Sequence, residues 1–87
     1  MHAVVATVTI NDREAAESHL HEQVVPGVKQ APGFVAGYWT QKDNSGLAML
    51  VFESEDAANA ASEMMPSMVP EAVTLGDIEV REVVANA

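Results

Sequence analysis

From Leu47 to Phe52 the chain runs through six apolar residues without a break, Leu-Ala-Met-Leu-Val-Phe, bounded by Gly46 on one side and Glu53-Ser54 on the other. A strand sends successive side chains to opposite faces, so Leu47, Met49 and Val51 share one face and Ala48, Leu50 and Phe52 share the other. Both faces are apolar. Residues Ala3 to Ile10 behave in the same way, being almost wholly Val, Ala, Thr and Ile, a composition that fits a strand with little polar surface on either side. Two strands of this kind must be covered on both faces, and no other feature limits the fold as tightly.

The segments around these strands predict the rest of the order. Asn11 offers an N-cap oxygen with Glu14 three residues on, as in a capping box, and Asp12 and Glu14 place negative charge at the positive end of a first helix. Its apolar seam is Ala16, Leu20 and Val24, flanked by Ala15, His19 and Gln23. Pro26-Gly27 is expected to end or kink it, with one short further turn around Val28 to Ala31. Phe34 to Gln41 reads as a second strand, with Phe34, Ala36, Tyr38 and Thr40 on one face and Val35, Gly37, Trp39 and Gln41 on the other. Lys42 to Gly46 suits a hairpin loop of about five residues. Ser54 is placed to cap a second helix carrying Ala57, Ala61 and Met64 or Met65, which is expected to stop near Pro66. Residues 66–70 then form a loop bearing Met68, and the last strand lies within Val73 to Val84.

The order β-α-β-β-α-β over residues 1–87 predicts one domain of the α+β class, a ferredoxin-like four-stranded antiparallel sheet with the first and third strands central. Two helices cover only one face of such a sheet. The other face of the two central strands, equally apolar, is left for a cover this chain does not contain, and a second copy is the simplest one. A homodimer with sheets packed face to face is therefore expected.

Composition narrows the partners. The 87 residues hold 4 Lys and Arg against 13 Asp and Glu, a net charge of −9, with 48% hydrophobic residues and no cysteine. Binding to nucleic acid or to an anionic membrane draws on clustered cations, and Arg13, Lys29, Lys42 and Arg81 are scattered. Without cysteine there is no disulfide scaffold and no thiolate metal cluster. Residues 1–10 do not read as a signal peptide, and no stretch approaches the roughly 20 apolar residues of a membrane span. A cytoplasmic protein is expected.

The β-branched opening strand, the helix closing on a Pro-rich turn, the run Ala31-Pro32-Gly33-Phe34-Val35-Ala36-Gly37-Tyr38-Trp39, the hairpin into Gly46 to Phe52, and Ser54-Glu55-Asp56-Ala57-Ala58 together resemble the dimeric α+β barrel superfamily. Antibiotic-biosynthesis-monooxygenase-like small domains are the nearest in kind. The resemblance spans nearly the whole chain and implies sheet-to-sheet dimers with a pocket between sheet and helices in each subunit. It covers cofactor-independent monooxygenases of polycyclic phenols and quinols, haem-degrading enzymes, muconolactone-type isomerases and stress-responsive barrel proteins. The haem-degrading pattern departs from this chain: its first strand has no asparagine, Trp39 lies on the second strand, and the second helix has no histidine.

Among titratable groups His19 stands out, because it borders the apolar seam of the first helix and imidazole takes up a proton near neutral pH. It fits either a general base or a boundary histidine whose ring covers the sheet edge. His21 lies about 200° around the helix from it, so the pair cannot chelate one metal, and His2 is expected to be solvated. Tyr38 and Trp39 are adjacent on a strand and face opposite ways, one toward a pocket and the other toward the dimer interface, or both into plain packing. Met49, Met64 and Met68 suit an adaptable apolar pocket or irregular core space. Signatures of serine hydrolases, nucleotide-binding loops and zinc proteases are absent. The expected function is a cofactor-independent monooxygenase acting on a small aromatic or polyketide-like substrate, with His19 as base and no metal or bound cofactor. The alternative is a non-catalytic ligand-binding or dimerisation module of the stress-responsive barrel type.

Overall fold

The structure, a computed structural model, describes residues 1–69 and 72–87, with Met68 described by its backbone only. Pro70 and the Met68 side chain, both within the expected loop, and Glu71 just after it lie outside what is described. Four strands and two helical segments alternate: β1 (His2–Ile10), a helical segment made of α1 (Arg13–His19), a π turn (Leu20–Val24) and α2 (Val25–Lys29), then β2 (Phe34–Lys42), β3 (Ser45–Phe52), α3 (Glu55–Met68) and β4 (Val73–Glu82). The strands form one antiparallel sheet in the order β2-β3-β1-β4, so the two strands apolar on both faces are indeed the central pair.

Both helical segments lie on one face of the sheet. The core there is built from Val4, Leu50 and Phe52 of the central strands with Val28 of α2 and Ala58 of α3, and Phe34, Trp39, Ile78 and Val80 of the edge strands pack against it. Phe34 and Phe52 meet edge to face at 5.8 Å between ring centroids and 71° between planes, a favoured aromatic geometry.

Several local expectations are corrected. The first helix is capped by Asp12 rather than Asn11: Asp12 Oδ1 accepts from the Ala15 amide at 3.2 Å, while Asn11 Nδ2 donates to Thr74 Oγ1 and ties the helix start to β4. Pro26 does not end the helix. It has no N–H to donate and its ring would crowd the carbonyl four residues back, so the turn before it widens and Val25 N–H donates to Leu20 O, five residues back. The widening also serves packing. Apolar residues at a strict spacing of four drift by about 40° per step around an α-helix, and a π turn takes up part of that drift. Ala16, Leu20, Val24 and Val28 thereby all face the sheet.

The hairpin needs only two residues outside the strands, Asp43 and Asn44, with Asp43 in the left-handed region at φ 55°. Gly46 belongs to β3. In β2 the register slips between Phe34 and Ala36, so Val35 bulges out and Phe34 joins Trp39 on the helix-covered face, against the simple alternation. The second helix starts at the Ser54 cap, whose Oγ accepts from the Ala57 amide at 3.1 Å, but it runs through Pro66 to Met68 instead of stopping there. His2 is not a solvated end: it pairs in the sheet with Phe52 and Glu82, and its Nε2 lies 3.2 Å from Glu55 Oε2 at the start of α3.

Candidate functional site

On the helix-covered face the sheet and the first helical segment do not close completely. A cleft of ≈ 170 Å³ remains, with α1, the π turn and α2 on one side, the sheet on the other, and Met65 and Val69 at the end of α3. Its floor is small and buried: Ala6 from β1, Gly46, Ala48 and Leu50 from β3, and Val28 from α2. Its walls are Val8 and Ile10, Leu75 and Val73 toward the β4 side, Trp39 on the β2 side, and Leu20 and Val24 beneath the helix.

The polar side chains among the lining residues are Glu17, His19, Thr40 and Gln41. Thr40 donates its hydroxyl to Leu47 O at 3.0 Å and is turned to its own sheet. Of the others, Glu17 is exposed and marks the mouth, while His19 and Gln41 are half-buried. Arg13 spans that mouth from the helix side: its Nε is 3.5 Å from Glu17 Oε1, and with the Gln41 amide turned to satisfy both groups its Nε and Nη2 donate to the Gln41 oxygen at 2.7 and 3.3 Å. An exposed pair of this kind contributes at most about 1 kcal/mol, so the bridge orients the mouth without locking it. The site thus combines an apolar chamber with a half-buried imidazole in its lining, residue types able to hold a small ring and take a proton from it.

The residues singled out in the sequence fall on two different surfaces. His19 and Trp39 both line the cleft. Tyr38 and Met49 stand opposite each other in the register on the other face of the sheet, 64% and 40% exposed. Met64 is also exposed and does not line the cleft. Met65 does, and the spacing of four from Ala57 and Ala61 was the signal that distinguishes it from Met64. The contributions of Gly46, Leu75 and Val73 depend on how the strands register and carry no local signal.

The uncovered sheet face carries Val5, Met49, Leu47, Val51 and Tyr38, with bulged Val35 beside them. Along its β4 side the acidic Glu79 is paired with Arg81. Among the described residues no group of three or more His, Asp or Glu is placed to hold a metal ion, and no helix is long and apolar enough to cross a membrane. No protein-family model matches the chain, and no curated protein matches it either.

Proposed function

We propose that the chain is one half of a cytoplasmic, face-to-face homodimer of the dimeric α+β barrel kind, whose cleft binds a small aromatic molecule and oxidises it with O₂ without a bound cofactor. The observation that supports the catalytic half is the cleft itself, apolar at its floor and lined by both His19 of the first helical segment and Trp39 of β2. For a phenol the reaction balances as phenol plus O₂ giving a quinone plus water. His19 takes the hydroxyl proton. The phenolate transfers an electron to O₂ and the two radicals join at the para carbon, forming a C–O bond. The peroxide O–O bond then breaks as the para C–H proton leaves, and the departing hydroxide recovers the proton held on His19. One oxygen atom ends in the quinone and the other in water, with all four electrons drawn from the substrate. Enclosure in an apolar chamber favours this course by orienting the ring and keeping water from the reactive intermediates.

The dimer is supported by the bare sheet face. The radius of gyration, 12.3 Å, is close to the roughly 12 Å expected for a compact chain of this length. Yet the surface, 5719 Å², exceeds by about 800 Å² what a monomer of this mass exposes on average. The open cleft, the C-terminal residues and the uncovered face share that excess, and one side of a standard interface is of similar size.

Oxygen consumption with phenol, whose para carbon is free, tests the oxygenase. The expected result is enzyme-dependent uptake with one quinone formed per O₂, lowered about a hundredfold in His19→Ala. Uptake unaffected by His19→Ala removes His19 from the mechanism, and no uptake with ring binding retained leaves a ligand-binding module.

A further inference from the structure

We propose that the cleft accepts a single aromatic ring, entering uncharged, and that Gly37 and Gly46 set this size limit; the inference rests on the cleft being the ligand site. The volume is the first support. At ≈ 170 Å³ the chamber is close to the engineered apolar cavity of about 150 Å³ that holds one benzene, and a fused second ring would have to stand out past the mouth, between Glu17 and Gln41.

The two glycines are the second. Among the described glycines only Gly33 has the left-handed backbone that favours glycine, at φ 77°. Gly37 and Gly46 have no such need, so space accounts for them. A Cβ on Gly37 would sit 3.0 and 3.1 Å from Cη2 and Cζ3 of Trp39 and 3.1 Å from Cδ2 of Leu50. The Trp39 indole therefore lies back over Gly37, flat against its own strand, instead of standing in the cleft. A Cβ on Gly46 would come within 2.7 Å of Val8 Cγ2 and 3.5 Å of Ile10 Cδ1. All four of these neighbours line the cleft. A methyl group at either glycine must displace a wall inward or rise from the floor.

Charge gives the third constraint. The chain carries −9 and Glu17 lines the mouth, so a neutral phenol enters more readily than an aromatic carboxylate of the same size. Arg13 is held by Glu17 and Gln41.

An NMR titration of the wild-type chain, following the amides of Gly46 and Leu50 and the indole N–H of Trp39, tests this with phenol, benzoate and 2-naphthol. Phenol should shift all three signals saturably, with 2-naphthol weaker by about tenfold or more, the discrimination that a few methylene-sized groups carry in an apolar pocket, and benzoate weaker than phenol at neutral pH. Leu20→Ala, which opens the helix-side wall and leaves both glycines in place, should bring 2-naphthol level with phenol. Gly46→Ala should weaken phenol about tenfold, and adding Val8→Ala should restore it. If 2-naphthol binds the wild type as tightly as phenol, or Leu20→Ala leaves the discrimination unchanged, the size limit is wrong while the site stands. If neither ring moves these signals, the site itself is wrong.

Discussion

At the scale of single residues, stability and ring binding draw on overlapping positions. Leu50 is 1% exposed at the centre of the core, and Leu50→Ala should cost about 3 kcal/mol, read as a fall in the urea midpoint. In a chain this small that loss is a large part of the total. Trp39→Phe should lower the urea midpoint and also alter ring binding, because the indole both packs against the core and lines the cleft. The alternation of Tyr38 and Trp39 was legible in the sequence, since adjacent strand residues always part. Which of them faces the helices was not, because that depends on the helices reaching one face only. Phe34 shows the sharper limit. The bulge at Val35 reverses its face, and nothing local in Gly33-Phe34-Val35 marks the slip.

At the scale of elements, the termini of the helices separate two similar-looking candidates. Asp12→Ala should destabilise by about 1 kcal/mol, the usual cost of removing an N-cap oxygen, and Ser54→Ala by a similar amount at α3. Asn11→Ala should cost less, since it removes an exposed side-chain bond to Thr74 and no cap. Thermal melts of the three variants check the order. The sequence offered Asn11 as the cap and Asp12 as first-turn charge, and the path of the chain out of β1 gives the cap to Asp12 instead. It also predicted that the helix would end or kink at Pro26; the helical segment continues, with one turn before the proline widened. The seam at spacing four explains the outcome: a helix that ended at Pro26 would leave Val28 without its place over Leu50, and an unbroken α-helix would rotate it away. Such π turns recur beside functional sites, and here the turn supplies Leu20 and Val24 to the cleft wall.

At the scale of the molecule, the strand order and the paired apolar faces were readable from the first and third strands alone, whereas the cleft was not. It arises where small residues, Ala6, Gly46 and Ala48, meet the splayed first helix, and small residues in a strand leave no periodic signal. The uncovered face carries Val35, Leu47, Met49 and Tyr38 at 48%, 39%, 40% and 64% exposure. If this face joins two subunits, each brings −9 to the pair, so added salt should tighten the dimer by screening that repulsion, most of it between about 10 and 150 mM. Tyr38→Glu should separate the subunits by placing an unpaired charge in an apolar contact, while leaving the core on the other face intact. Sedimentation equilibrium of the wild-type chain at micromolar concentration is the most direct test. A mass of twice the 9.2 kDa chain, falling to one chain in Tyr38→Glu, is the predicted result; a single 9.2 kDa species for the wild type at every salt concentration would contradict it.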